Sequence, residues 1–308
     1  MNPKLKIGVV GAGVFGRFHV QKCEAHPQIA LVGIYDNTPN KNIAIAKRFN
    51  TELCTSFESL LERAEAVIIA SPAQSHGALA IKALDQGKHC FIEKPIASSL
   101  SETKKILALS RSNGAVVQVG HQERFVIEAI GLKDVPERPV KITGYRMGKY
   151  SQRGTDVSVT LDLMVHDLDL LSLLTGESPS KISGHAISVQ SDHPDASLGF
   201  LEFPSGCKAR LHASRAENEN CRSMEIVYPS GTVHIDFNAK TLTHNTPFDL
   251  DVDFAQNPIA KDSLGAGTNA FVQAILNGIQ VPVSAEDGYR ALEMALIIDR
   301  GELWEKRE

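Results

Sequence analysis

The chain has 308 residues, of which 43% are hydrophobic and 22% charged, with a formal net charge of -4. That length and composition fit two globular domains with their own cores, and the charge speaks against a nucleic-acid surface, which is ordinarily basic. The 5 cysteines (Cys23, Cys54, Cys90, Cys207, Cys221) are odd in number and form no CxxC pair, which argues against a disulfide framework or structural zinc and for a reducing, cytoplasmic setting.

In chain order, Lys4 and Lys6 precede the apolar Ile7-Gly8-Val9-Val10, a stretch too short and too broken by glycine for a signal peptide. Nowhere is there the run of ~18 apolar residues that a membrane span needs. Short apolar runs at Lys6–Val10, Leu31–Tyr35, Ala66–Ala70, His89–Ile92 and Val116–Val119 alternate with helical patterns at Phe15–Ala25, Asn40–Phe49, Ser75–Gln86 and Leu100–Ser112. The alternation predicts an α/β domain over residues 1–121, a doubly wound parallel sheet of the Rossmann type with helices on both faces.

Beyond Gly120 the pattern changes to strands with period-two alternation: Lys141–Tyr150, Ile182–Gln190, Leu198–Phe203, Lys208–Ala213, Arg222–Tyr228 and Thr232–Phe237. Pro204-Ser205-Gly206 and Pro229-Ser230-Gly231 separate several of them as hairpin turns. Helical patterns at Leu161–Leu174, Thr268–Asn277 and Ala285–Glu305 complete an α+β domain over residues 122–308 with a mostly antiparallel open sheet. The tail Glu305-Lys306-Arg307-Glu308 reads as a solvated helix end.

Gly11-Ala12-Gly13-Val14-Phe15-Gly16 fits GxGxxG, directly after a strand and at the start of a helix, with Asp36 ending the next strand. Gly11 permits the turn, Gly13 lets backbone approach a pyrophosphate, Gly16 lets the helix pack on the strand, and the helix N-terminus favours anions. Asp36, with Asn37 beside it, is placed to bind the adenosine ribose. A carboxylate there repels a 2′-phosphate and so favours NAD over NADP.

Glu93-Lys94-Pro95 ends the strand His89–Ile92, and Ser71-Pro72, with His76 soon after, ends the strand before it. Ligands of open parallel sheets bind at such carboxyl ends, so these residues are candidates to line the cofactor site, and Lys94 to hold or relay a hydroxyl proton. An ordinary surface lysine and a plain helix-start histidine remain open. In the later helix Asp162 and His166 stand four apart on one face among apolar neighbours, a pairing suited to a histidine base oriented by a carboxylate. A surface ion pair is the alternative. A metal bound by His166, Asp162 and Asp167 finds no further ligands at a recognisable spacing, so no metal is expected.

Together the glycine loop, Glu93-Lys94-Pro95, Val119-Gly120-His121-Gln122-Glu123-Arg124-Phe125 and Asp162-x-x-x-His166 resemble the glucose–fructose oxidoreductase/inositol dehydrogenase family, Gfo/Idh/MocA. The resemblance implies a Rossmann domain and a second domain for substrate and oligomerisation, as a dimer or tetramer. It further implies NAD(P)-dependent oxidation of a secondary sugar hydroxyl by Lys94, Asp162 and His166, with either His166 or Lys94 as the base. A finer resemblance, carried by Gly120–Phe125 and Arg153–Asp169, is to the branch that oxidises the 3-hydroxyl of UDP-N-acetylglucosamine. It makes Glu123, Arg124 and Arg153 candidate substrate contacts, with Arg124, Arg146 and Arg153 able to pair with a diphosphate. An NAD-dependent glycosidase that oxidises transiently, a polyol or inositol dehydrogenase and a non-catalytic cofactor-sensing regulator are the competing readings.

Overall fold

Apolar runs of four to seven residues bury both faces only when helices cover both sides of the sheet they form, and the N-terminal half does this. The computed structural model describes residues 3–38, 43–49, 51–151 and 154–306. Arg153, expected to touch substrate, lies outside them, as do Asn40 of the second expected helix and the terminal Arg307-Glu308.

The chain divides into two compact units, Met1–His121 with Leu264–Tyr289, and Gln122–Ser263 with Arg290–Glu308. Among the described residues the first unit holds a five-stranded parallel sheet of β1 (Leu5–Val10), β2 (Ile29–Tyr35), β3 (Ala66–Ile69), β4 (His89–Ile92) and β5 (Val117–Val119), in the order β2-β1-β3-β4-β5. Strand order reverses at β1, the switch point beside which such sheets bind nucleotides. Helices α1 (Val14–Ala25), α2 (Ile43–Arg48), α3 (Phe57–Arg63), α4 (His76–Asp85) and α5 (Leu100–Asn113) alternate with the strands. The sequence pattern did not predict α3. Its capping box is formed by Ser56 and Ser59, and a serine replaces the usual glutamate or glutamine at the third position.

Sequence order places Leu264–Tyr289 with the second domain, whereas it packs in the first unit. The reason is apolar. Phe271 and Val272, both 0% exposed, join the cluster of Ile7, Val9, Ile68 and Phe91, with the rings of Phe91 and Phe271 edge to face at 5.8 Å. Gln118 Nε2 donates to Gly267 O at 2.8 Å, which gives this buried amide nitrogen a partner in the same region.

In the second unit, β6 (Lys141–Met147), β7 (Lys181–Ile187), β8 (Ala196–Glu202), β9 (Lys208–Ser214), β10 (Cys221–Tyr228), β11 (Gly231–Asp236), β12 (Thr241–His244) and β13 (Trp304–Glu305) form one sheet. Its order among the described residues is β12-β11-β10-β6-β9-β8-β7-β13, antiparallel throughout except for the parallel pair β6–β9. Burial alternates along the strands, with Ala209, Leu211 and Ala213 of β9 buried while Lys208 and Arg210 are exposed. The helices are α6 (Glu123–Ile130), α7 (Val165–Thr175), α8 (Pro258–Lys261), α9 (Ser263–Asn277) and α10 (Ala285–Arg300), the last two running across the unit boundary.

Two expectations need correcting here. The final helix stops at Arg300, Gly301 turns the chain at φ 66°, and Trp304–Glu305 pairs with Lys181–Ile182 as a strand, so Glu305 is in a strand and not at a helix end. The helix expected over Leu161–Leu174 begins as a π turn, Thr160–Met164, before continuing as α7. Among the described residues no helix is long and apolar enough to cross a membrane.

Candidate functional site

The glycine loop owes its shape to steric exclusion. Gly11 sits at φ 90°, its N–H donates to Tyr35 O at 2.8 Å, and a Cβ there would lie 2.6 Å from Ala70 O. A Cβ on Gly16 would lie 1.8 Å from Gly11 O, so no other residue lets α1 approach this closely. Gly13 is the opposite case. It stands at the N-cap of α1, supplies no side chain to the first-turn N–H groups, and a Cβ on it would meet nothing within 4 Å. Val14 and Phe15 are exposed beside it. Asp36 braces the loop by accepting from Ala12 N at 2.8 Å and Thr38 N at 2.7 Å. These bonds use two of its roughly four lone-pair sites, and Asn37 beside it is exposed.

The turn after β4 is held from beneath. Glu93, buried at 6% exposure, accepts from His19 Nε2 at 2.8 Å, and His19 on α1 is fully buried with its ring against Phe91. Burial alone would raise the Glu93 carboxyl, but the His19 hydrogen bond and the neighbouring charges of His19, Lys94 and His76 bring it below its ordinary value. His76, at the start of α4, faces two carbonyls, Pro95 O at 2.7 Å and Ser71 O at 2.9 Å. Glu93 and His76 were expected to contact the cofactor. The structure turns both inward, where they fix the strand-end turns. Lys94 between them is half-buried and joined to Pro95 by a cis peptide bond. Ser71 pairs with Ser75 at 2.6 Å, and Pro72 is exposed on the same turn. Sequence reasoning missed His19, although it lies one helical turn beyond Gly16.

In the second unit the chemistry gathers on side chains from three elements. Glu123, in the first turn of α6, places Oε2 2.5 Å from His166 Nδ1 and Oε1 3.0 Å from Arg146 Nη1. Arg146 on β6 is 2% exposed, donates from Nε to Asp167 Oδ1 at 2.8 Å, and lies 5.6 Å over the ring of Phe237. Burial would raise Glu123, but His166 and Arg146 together hold it well below the usual carboxylate range. Burial does push Asp167 up, only partly offset by Arg146. Sequence spacing suggested Asp162 as a partner of His166; it did not suggest Glu123, whose carboxylate lies on Nδ1. Asp162, on the π turn, lies against Gly154, where a Cβ would come within 2.5 Å of its Oδ2.

Arg124 and Arg146 do not present themselves to a diphosphate. Arg124 is 8% exposed and grips Asp169 with both arms, Nε to Oδ2 at 2.7 Å and Nη2 to Oδ1 at 2.6 Å, and Arg146 is committed to Glu123 and Asp167. Their burial explains the error, because a buried guanidinium is stable only on a carboxylate. Nearby, Asp195 accepts from the backbone N–H of Val189, Gln190 and Ser191 and from Arg215 Nε, and Arg215 Nη1 donates to Gly154 O and Val157 O just before the π turn.

Comparison with known proteins agrees across both units. The model of the Gfo/Idh/MocA oxidoreductase family with an NAD-binding Rossmann fold matches residues 5–121, and that of the Gfo/Idh/MocA C-terminal domain matches residues 132–234. The UDP-N-acetylglucosamine 3-dehydrogenase of Acidithiobacillus ferrooxidans is 30% identical over 300 residues, 95% of each chain. A solved structure of that enzyme superposes with a TM-score of 0.88 at 29% identity, covering 97% of both chains. The scyllo-inositol 2-dehydrogenase (NAD(+)) of Bacillus subtilis is 27% identical over 256 residues, 76% of this chain and 75% of that one.

Proposed function

The chain belongs to the Gfo/Idh/MocA oxidoreductases, and on that premise we propose that it oxidises the 3-hydroxyl of UDP-N-acetylglucosamine to a ketone with NAD as co-substrate. Dehydrogenase chemistry comes with the family. The nucleotide sugar, its ring position and the preference for NAD are what is proposed. The observation that carries the chemistry is the His166 imidazole at the start of α7, with an ionised carboxylate 2.5 Å from Nδ1. Likeness over 95% of both chains to a UDP-N-acetylglucosamine 3-dehydrogenase supports the substrate.

The first unit fits the cofactor. Open space at Gly13, the uncapped start of α1 and the Asp36 carboxylate would hold the pyrophosphate and the ribose, and Asp36 would disfavour a 2′-phosphate. Bound NAD supplies an acceptor for the hydride that leaves the ring carbon. His166 takes the hydroxyl proton, and the carboxylate beside it stabilises the imidazolium that results. Lys94 holds the hydroxyl oxygen and lowers the cost of its negative charge, and Asp162 accepts a sugar hydroxyl.

The test is a panel of UDP-N-acetylglucosamine, other UDP-sugars, free pyranoses and inositols with NAD and NADP, followed at the nicotinamide absorbance. Activity with UDP-N-acetylglucosamine and NAD is expected. Turnover confined to inositols or free sugars overturns the substrate, and cleavage of a glycoside with no net absorbance change identifies a glycosidase. In the active protein, His166→Ala and Lys94→Ala are each expected to lower kcat by ~10²–10⁴-fold while NAD still binds. Wild-type turnover in both removes these roles.

A further inference from the structure

We propose that Glu123 is the positioning carboxylate of His166, and that Arg146 and Asp167 lock it in place. The inference rests on His166 being the proton acceptor. Glu123 gives each oxygen a separate task, Oε2 on His166 Nδ1 and Oε1 on Arg146 Nη1. Arg146 cannot follow a wandering carboxylate. Its Nε is tied to Asp167, its guanidinium is stacked on Phe237, and it is 2% exposed. Asp167 directly follows His166, so the row closes on the turn that carries the imidazole.

A buried carboxylate facing an imidazole keeps its charge only if something opposes desolvation, and the guanidinium does so. An ionised acceptor at Nδ1 selects the tautomer with its proton on Nδ1 and stabilises the cation formed on proton uptake. Among the described residues, the charged groups acting on Glu123 and Asp167 include Arg146 from β6 and Arg222, its register partner on β10, and Asp167 follows His166 on α7. Glu123 comes from α6, a separate element, so the carboxylate on the ring is delivered from elsewhere in the chain.

The experiment titrates His166 by NMR in the full-length protein labelled with ¹⁵N-histidine, comparing wild type with Glu123→Gln, Glu123→Asp and Asp162→Asn. The pH profile of kcat/KM is recorded on the same proteins. Glu123→Gln is expected to lower the His166 midpoint and the acid limb of kcat/KM together by about one pH unit, and kcat by ~10–10²-fold with KM little changed. Glu123→Asp, which retains a counter-ion for Arg146, gives an intermediate midpoint and guards against a glutamine variant that does not fold. Asp162→Asn moves the midpoint less than Glu123→Gln does. A midpoint unmoved by both Glu123 variants, or moved further by Asp162→Asn, overturns the proposal. The imidazole titration needs no substrate, so the two readings fail separately. A shifted midpoint without turnover of UDP-sugars removes the substrate assignment and keeps Glu123. Turnover with an unshifted midpoint does the reverse.

Discussion

The glycine loop of the first unit is made of backbone. Its geometry is dictated by where a Cβ cannot go, from Gly11 at φ 90° to Gly16 against Gly11 O. The His166 turn of the second unit is made of charge: Glu123, Arg146 and Asp167 reach it from α6, β6 and α7, and each is buried enough to need the others. The first is local in the chain and tolerant of its surroundings. The second is non-local and stands only while its charges balance. They should therefore fail differently.

The sharpest contrast comes from Arg146→Met, which leaves two buried carboxylates, Glu123 and Asp167, without their counter-ion. A loss of about 3–5 kcal/mol of stability is expected by calorimetry, and a loss under about 1 kcal/mol would mean that the charges are not interdependent. Next in size is Gly16→Ala, where the added methyl meets backbone that has no room to move. It should cost about 1–3 kcal/mol in urea unfolding and weaken NAD binding in the same protein. Unchanged NAD affinity would separate the loop from the cofactor.

A smaller effect appears in acid. The hydrogen bonds and Arg215 hold the Asp195 carboxyl well below its ordinary value against the pull of burial. A carboxyl with a depressed folded-state pKa contributes its stability above the unfolded-state value and loses it as pH falls toward the folded-state value. Urea midpoints should thus decline below about pH 4, and Asp195→Asn should flatten that decline. An unaltered slope would assign the acid sensitivity elsewhere, with Glu123 the next carboxyl to try. The smallest effect is expected from Arg111→Ala. Arg111 and Glu286 are 70% and 44% exposed at 2.9 Å, and such a pair should change the melting free energy by less than ~1 kcal/mol.

The same contrast explains what could be read from the chain beforehand. The parallel sheet was legible because its strands are short apolar runs separated by helical periods, and the loop because Gly11, Gly13, Gly16 and Asp36 fall within one strand–helix–strand unit. The α3 helix was not, because Ser59 stands where a capping glutamate would have marked it. At the second site, spacing pointed to Asp162, since a four-residue interval suggests neighbours on an α-helix. Spacing cannot announce that Glu123 comes from α6 to the ring. Arg124 and Arg146 looked like phosphate ligands because their carboxylates, Asp169 and Asp167, pair only in three dimensions.

Phe271 and Val272 carry a consequence for biosynthesis. Among the described residues the last strand of the parallel sheet ends at Val119, yet the apolar cluster around Phe91 is finished by residues that leave the ribosome far later. While translation proceeds, that patch stays open to water, a vulnerable interval in which nascent chains attract chaperones or each other. A fragment ending at His121 would keep the vulnerability permanently, and its expression should yield aggregate unless Leu264–Tyr289 is spliced back on.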